Sequence, residues 1–420
     1  MLGVGTAFRQ LQEATSLIES VKRMGKAVPT LQATLDPFLL QEETATARLV
    51  LEDGPMVRAL SATDRRVKVS LDGTCRKIRC PYASQFIATA AICTRNMHPI
   101  ADYPTGPWNY PIKLYGEYRW IGLLPRLEAE IRNHKNTRVF PAGYDEKQAY
   151  TELRAGLETW LLEEAVPTAV ELLEELGATP LVVLDGCVYF VPRSHLFDES
   201  FYSYSQLHYS YASFYAEDIG RRIKAVDALA KRGVPVVGVV KQTHHSNLLL
   251  KNPYITDYAR ALGLRPELFT GDWVFTLELF RQSLSHGFLS LPEYCIATAP
   301  MEINYAEKGI VRGREFSWLR KLLERNPKVY VYLGVLGHPF SEQTMQVYRL
   351  ETTEAVYRRF GEELWSEVLG DTTLAGMKLP SSLLHSHRRC ISWATTLRNY
   401  AETLMARRGI PVEPETLLPA

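Results

Sequence analysis

The chain has 420 residues, 46% hydrophobic and 23% charged, which suits two to three globular domains, or one with large insertions, and excludes disorder as the main state. Its 48 basic residues stand against 47 acidic ones, so a globally basic nucleic-acid coat is excluded and any such contact must be a local patch or be completed by a partner. Cysteines at 75, 80, 93, 187, 295 and 390 form no C-x-x-C pair, which argues against a zinc ribbon, and they are too sparse for a secreted disulfide scaffold. There is no N-terminal secretory pattern, and no apolar run approaches the roughly 18 residues of a membrane span. The expectation is a soluble protein of a reducing, cytoplasmic compartment.

Residues 7–24 carry Phe8, Leu11, Leu17, Ile18 and Val21 at helical spacing. Residues 1–62 are read as a helical segment whose apolar face meets the core or another chain. From Arg66 the period changes to two: Val67, Val69 and Leu71 alternate with Lys68 and Ser70, which predicts a strand ending at Asp72-Gly73-Thr74. Phe86–Cys93 reads as a second strand. Residues 98–120, rich in Pro, Tyr and Trp, are expected to be loop. Residues 145–176 are helical by composition, broken at Pro167 and stopped by Gly177. Leu181-Val182-Val183-Leu184 is a strand buried on both faces, followed by Asp185-Gly186. A helix over 217–232 leads into a strand from Val234 to Val240, which ends at Lys241. Strands at 328–336 and 346–350 and helices at 353–368 and 382–407 complete the pattern. Helices follow strands throughout, so the class is α/β or mixed α+β.

Asp72 and Asp185 occupy matching positions, each at the end of a β-like run and each followed by glycine. A carboxylate at the end of a buried strand is costly unless it is paired or holds a metal. Two such residues on strands of one sheet can share a divalent ion. Phosphodiester hydrolysis uses this arrangement, with two cations about 4 Å apart stabilising the attacking and leaving oxygens. Oxygen ligation suits Mg2+ or Mn2+. The bland alternative is a strand-ending Asp-Gly turn, which is common. Around Asp72 lie Arg65, Arg66, Lys68, Arg76, Lys77 and Arg79, opposed only by Asp64 and Asp72. This reads as a phosphate-binding patch, or as a solvated strand edge.

The ordered set resembles the NurA nuclease family, DNA-end-processing enzymes with an RNase H-like core. The elements that carry the resemblance are Leu71-Asp72-Gly73-Thr74, an acid-bearing helix, Leu181-Val182-Val183-Leu184-Asp185-Gly186, Val237-Gly238-Val239-Val240-Lys241, Tyr348-Arg349-Leu350-Glu351, and Leu379-Pro380 with His387 seven residues after the proline. They span residues 67 to 395. The resemblance implies an RNase H-like mixed β-sheet flanked by helices, within a nuclease domain over 63–400 that carries an insertion near 98–145. The N-terminal segment 1–62 would make partner or dimer contacts, and 401–420 would form a tail.

By the same resemblance Asp72, Asp185 and a helix glutamate hold Mn2+ or Mg2+, as two ions. Glu171 is the preferred glutamate, with Glu174, Glu175 and Glu164 as alternatives. His387 ligates the second metal or moves a proton to the leaving oxygen. Arg76, Lys77, Lys241 and Arg349 contact nucleic acid or brace the site. The family further implies 5′-to-3′ exonuclease and single-strand endonuclease activity on DNA ends, in end resection or defence, as a homodimer with a HerA-like hexameric ATPase.

Cys187 replaces a small hydroxyl residue of the family, and Ser386 an alanine. These departures motivate a second reading, a DNA-end adaptor with a decayed site that docks on such a ring. A third is another RNase H-like phosphotransferase, such as a junction resolvase. No P-loop, H-E-x-x-H or G-x-S-x-G motif is present, so P-loop ATPase, zinc peptidase and α/β-hydrolase readings have no support. His244 and His245 read as a polar loop. Seven aromatics between Phe201 and Tyr215 are expected to be structural, with base stacking as the alternative.

Overall fold

The computed structural model describes residues 2–24, 26–27, 48–50, 54–94, 117–128, 137–192, 194–241, 243, 246–286, 295–306, 309–335, 345–371 and 380–413. His244, His245, Leu379 and much of the expected insertion lie outside them.

Among the described residues, seven strands of five residues or more build the sheet: β1 Val67–Arg79, β2 Ala83–Thr94, β3 Glu117–Pro125, β4 Pro180–Asp185, β5 Val236–Val240, β6 Lys328–Val335 and β7 Gln346–Thr353. Their order is β3-β2-β1-β4-β5-β7-β6, and short strands at both ends raise the sheet to 12 strands. β1, β2 and β3 form an antiparallel meander. β4 then joins β1 in parallel, and β5 joins β4 in parallel. The architecture is therefore mixed α/β.

Alternation along the strands divides the core between the two faces of the sheet. Leu71, Phe86, Ala88 and Leu124 belong to the main core, with Leu153 and Leu157 of α2 (Glu146–Trp160). Ile78, Ile87, Ile121 and Leu123 point the other way, into a second core. There they meet Leu397, Ala401 and Met405 of α5 (Ser381–Arg407) and Leu11, Ala14 and Ile18 of α1 (Leu2–Met24). The apolar face of α1 is thus used within the fold, and α5 fills the helix expected over 382–407, whose last turns and Ile410 pack in this core although the domain reading placed 401–420 in a tail.

Glu117–Pro125 was expected to be partly loop and partly insertion, yet it forms the third strand of the meander. Its Pro- and Trp-rich flank hid an alternation in which Trp120 and Leu124 face one core and Ile121 and Leu123 the other. The predicted helix over 145–176 is interrupted by a π-helical turn at Leu161–Ala165, after which α3 (Val166–Glu175) begins. This offset separates the two segments' faces. A long helix α4, Gln206–Lys231, extends the expected 217–232 helix backwards through the aromatic stretch. There Tyr211 and Tyr215 are buried, and Asp145 N–H donates to the Tyr211 hydroxyl, so those two rings serve packing.

Candidate metal centre

The register of β1 on β4 pairs Leu71 with Leu184 and stops there. Asp72 and Asp185 are the next residues on each strand. Neighbouring strands lie about 4.8 Å apart, so the two carboxylates stand side by side where the strands part. β1 runs on to Arg79 against β2, whereas β4 ends at Asp185. Asp72 is 5% exposed, and its carboxylate faces Asp185 closely enough to raise that group's pKa. Burial and the facing Asp72 charge push Asp185 up to about 7, although the Lys241 ammonium donates to it. Lys241 is brought there by β5, which pairs Val239 with Asp185.

Helix α5 supplies His387 from the face that carries Ser70 and Asp72. The helix is anchored by Asp371, which accepts from the Ser382 N–H at 3.1 Å and the Ser382 hydroxyl at 2.5 Å; Ser382 Oγ also lies 2.6 Å from Ser70 Oγ. His387 Nδ1 is 2.7 Å from Asp72 Oδ2 and 4.0 Å from Asp185 Oδ2. The hydrogen bond to Asp72 raises the histidine's pKa against the opposing effect of burial. His385 makes no such contact and is displaced to lower pKa by burial and by Arg388.

Helix α2 supplies Glu158 from the opposite face. Gly73 makes room for it: a Cβ there would sit 2.7 Å from Glu158 Oε1. Glu158 is buried, and burial raises its pKa, with Arg154 and Arg222 opposing and the Asp72 charge adding to the rise. Arg222 of α4 fixes it through Nη2 to Oε2 at 2.9 Å, and the same guanidinium donates to the Cys187 carbonyl at 3.2 Å and the Thr159 hydroxyl at 2.8 Å. Arg154, one turn before Glu158, adds a partly exposed cation 3.7 Å from Oε1.

Glu171 is not near this cluster. It lies exposed on α3, 3.0 Å from Arg232, which also holds Glu174. Arg232 precedes β5 and Lys241 follows it, so Glu171 sits at the other end of a strand spanning roughly 17 Å. Glu175 and Glu164 are likewise exposed. The buried helix glutamate on which the Asp72 charge acts is Glu158, which sequence reasoning passed over. Its signal was a stripe, Tyr150, Arg154 and Glu158 at i, i+4 spacing, beside the buried Leu153 and Leu157 of the same helix.

Arg349 is buried between Ser246 and Glu351, at 3.2 and 3.5 Å, so it braces the β7 side and does not reach solvent. The basic run around Asp72 is largely neutralised within the fold. Lys68 is fully buried against Glu367 and Asp64, and Lys77 and Arg79 converge on Glu146. Burial opposes ionisation of Glu146, but hydrogen bonds from Arg79, Ser84 and Lys77 prevail and hold it at about 2. Arg76, half-buried, has no acidic partner among the described residues. Ser386 bonds back to the Leu383 carbonyl.

Asp72 and Asp185 with the His387 imidazole form an oxygen-rich donor group, Glu158 standing beside Gly73 close enough to feel the Asp72 charge, and carboxylates this crowded are stabilised by a cation. The residues fit a hard divalent ion.

A model of the NurA domain matches residues 110–412, most of the chain. The chain belongs to the NurA domain family. The matched span includes Glu158, Asp185, Lys241 and His387 and begins after Asp72. Similar solved structures include the NurA nuclease from Sulfolobus solfataricus, at 12% identity over 84% of this chain and 88% of that one, TM-score 0.43. NurA with manganese aligns at 11% identity over 83% and 91%, TM-score 0.44. NurA bound to dAMP and manganese aligns at 10% over 79% and 85%, TM-score 0.41. No curated protein matches the chain. No described helix of this NurA domain is long and apolar enough to cross a membrane.

Proposed function

We propose that this chain is a divalent-metal-dependent DNA nuclease. The observation that carries the reading is the convergence of Asp72, Asp185 and His387 from three separate elements onto one buried point. Family membership supports it independently.

In this reading Asp72, Asp185 and Glu158 hold Mn2+ or Mg2+, as two ions, and His387 assists beside Asp72. When bound, such ions activate water and neutralise charge on the phosphate. The protein's own part is positional. The parting of β1 and β4 aligns two carboxylates, and Gly73 admits the third. Arg222 locks Glu158 so that its oxygens cannot turn away. His387, its Nδ1 held by Asp72, is placed to pass a proton to the leaving oxygen. Lys241 and Arg154 supply positive charge for the scissile phosphate.

The meander β1–β3 followed by parallel β4 and β5 supports an RNase H-like core. The domain reading of a nuclease unit over 63–400 belongs to the same proposal, with partner or dimer contacts of the N-terminal segment made by surfaces other than the α1 face that packs on the second core. So do a homodimer, a HerA-like hexameric ATPase that feeds DNA ends, 5′-to-3′ and single-strand cleavage, a role in resection or defence, and a cytoplasmic setting.

The test is hydrolysis of linear single- and double-stranded DNA by the full-length protein with Mn2+, with EDTA as the control and with a HerA-type ring added. Metal-dependent degradation is expected. Binding of DNA ends without cleavage under any divalent ion would replace this reading with that of a non-cleaving adaptor.

A further inference from the structure

Cys390 stands beside the cluster, and hydrolysis by oxygen-ligated ions gives it no task. It follows His387 by three residues on α5, a spacing that places both on one helix face. It is buried, and its Sγ lies 3.6 Å from Asp72 Oδ2, the same oxygen that His387 Nδ1 approaches at 2.7 Å. One donor atom from each of Asp72, His387 and Cys390 lies within 4.8 Å of the other two.

A tetrahedral zinc ion with bonds of about 2.0–2.3 Å needs its ligand atoms roughly 3.3–3.8 Å apart. The thiol already meets that spacing against Asp72, and the imidazole reaches it by a small rotation away. Charge favours the same ion. One carboxylate, one thiolate and one neutral imidazole around a dication sum to zero, which lowers the cost of holding it in a buried place. Mg2+ and Mn2+ prefer oxygen ligands and higher coordination, and have little use for sulfur.

We propose that Asp72, His387 and Cys390 form a thiolate-containing Zn2+ site, and that its occupancy takes Asp72 and His387 away from the oxygen-ligated ions and stops hydrolysis. On binding, His387 presents the Nδ1 lone pair of its Nε2–H tautomer. Cys390 gives its thiol proton to solvent as the sulfur–metal bond forms, and nothing is oxidised or reduced. The Zn2+ site stands on its own geometry, whereas the inhibitory consequence rests on the nuclease reading.

The experiment titrates the metal-free, full-length protein with Co2+ as a spectroscopic stand-in for Zn2+. A near-ultraviolet thiolate-to-cobalt charge-transfer band should appear and be bleached by Zn2+. Cys390→Ser should abolish the band and lower the Zn2+ to Mn2+ affinity ratio by about tenfold or more. Absence of the band in the wild-type protein, or an unchanged ratio in the variant, overturns the site. The wild-type titration decides even where the variant fails to fold. A band in a protein that cleaves no DNA with Mn2+ upholds the site and removes the nuclease reading. Mn2+-dependent cleavage that persists with Zn2+ bound, the band being present, overturns the inhibition alone.

Discussion

His387 Nδ1 lies 2.7 Å from Asp72 Oδ2 across 315 positions of sequence. The contact joins the C-terminal helix to the first long strand at the point where β1 and β4 separate. The His387 side chain is 40% exposed and contributes little to the core, so its removal tests chemistry more than folding. His387→Ala should lower the turnover of DNA cleavage by roughly a hundredfold. Its thermal unfolding midpoint should stay close to wild type. Steady-state cleavage and a thermal scan of the same preparation check both.

Glu158 and Glu171 offer a paired comparison. Glu158→Gln keeps the shape but removes the charge that Arg222 and the metal share, and should reduce Mn2+ affinity and cleavage by about tenfold to a hundredfold. Glu171→Gln breaks an exposed pair with Arg232, worth at most about 1 kcal/mol, and should leave both unchanged. Calorimetric Mn2+ titration with parallel cleavage assays separates them.

This pair also marks how much the residues alone disclosed. Asp72, Asp185, Lys241 and His387 were legible because each lies near a local punctuation mark in the sequence: an Asp-Gly after a β-like run, the residue after a valine run, the second turn of a helix that starts after proline. The strand expected to end at Asp72-Gly73-Thr74 in fact continues to Arg79, because β2 pairs with it beyond the point where β4 leaves. Their meeting depends on the register of β1 on β4 and on the docking of α5, which those marks do not specify. Glu158 lies mid-helix and has no such mark. It was obscured by the π-helical turn at Leu161–Ala165, which separates its face from that of the glutamates nearer β4. The basic run near Asp72 misled for a related reason. Charge counts along a sequence do not show that Glu146 and Glu367, brought from afar, neutralise Lys77, Arg79 and Lys68. The third strand of the meander was missed because its alternation follows a Pro- and Trp-rich stretch.

Gly73→Ala is a steric test of the same geometry. The added methyl would meet Glu158 Oε1 at 2.7 Å and Cγ at 2.8 Å. Glu158 cannot yield freely, because Arg222 holds its other oxygen. Cleavage and Mn2+ affinity should fall with Gly73→Ala much as with Glu158→Gln. Adding Gly73→Ala to Glu158→Gln should therefore cost little more, and a double-mutant cycle reads that non-additivity.

Metal affinity should depend on pH with a definite sign. Burial and Asp72 raise Asp185 to about 7, so below that pH a proton occupies the place a cation needs. Mn2+ affinity should rise as pH increases towards 7, by at most about tenfold per unit for each proton displaced, and flatten above it. For the metal-free fold the sign reverses. A carboxyl whose folded pKa exceeds its unfolded value stabilises most at low pH, and that contribution is lost as pH climbs through about 7. Mn2+ should then restore stability most strongly above 7. Thermal scans from pH 5 to 8, with and without Mn2+, measure both trends.

The central claim is that Asp72 and Asp185 jointly hold a cation used in cleavage. Its most direct measurement is Mn2+ binding and Mn2+-dependent DNA cleavage by wild type, Asp72→Asn, Asp185→Asn and the double variant. The account predicts that each single change removes the Mn2+-induced thermal shift and lowers cleavage by about a hundredfold or more, with the double variant little worse. Relief of crowding between the two carboxylates should leave the metal-free single variants at least as stable as wild type. Full cleavage and an unchanged Mn2+ shift in Asp72→Asn and Asp185→Asn would contradict it.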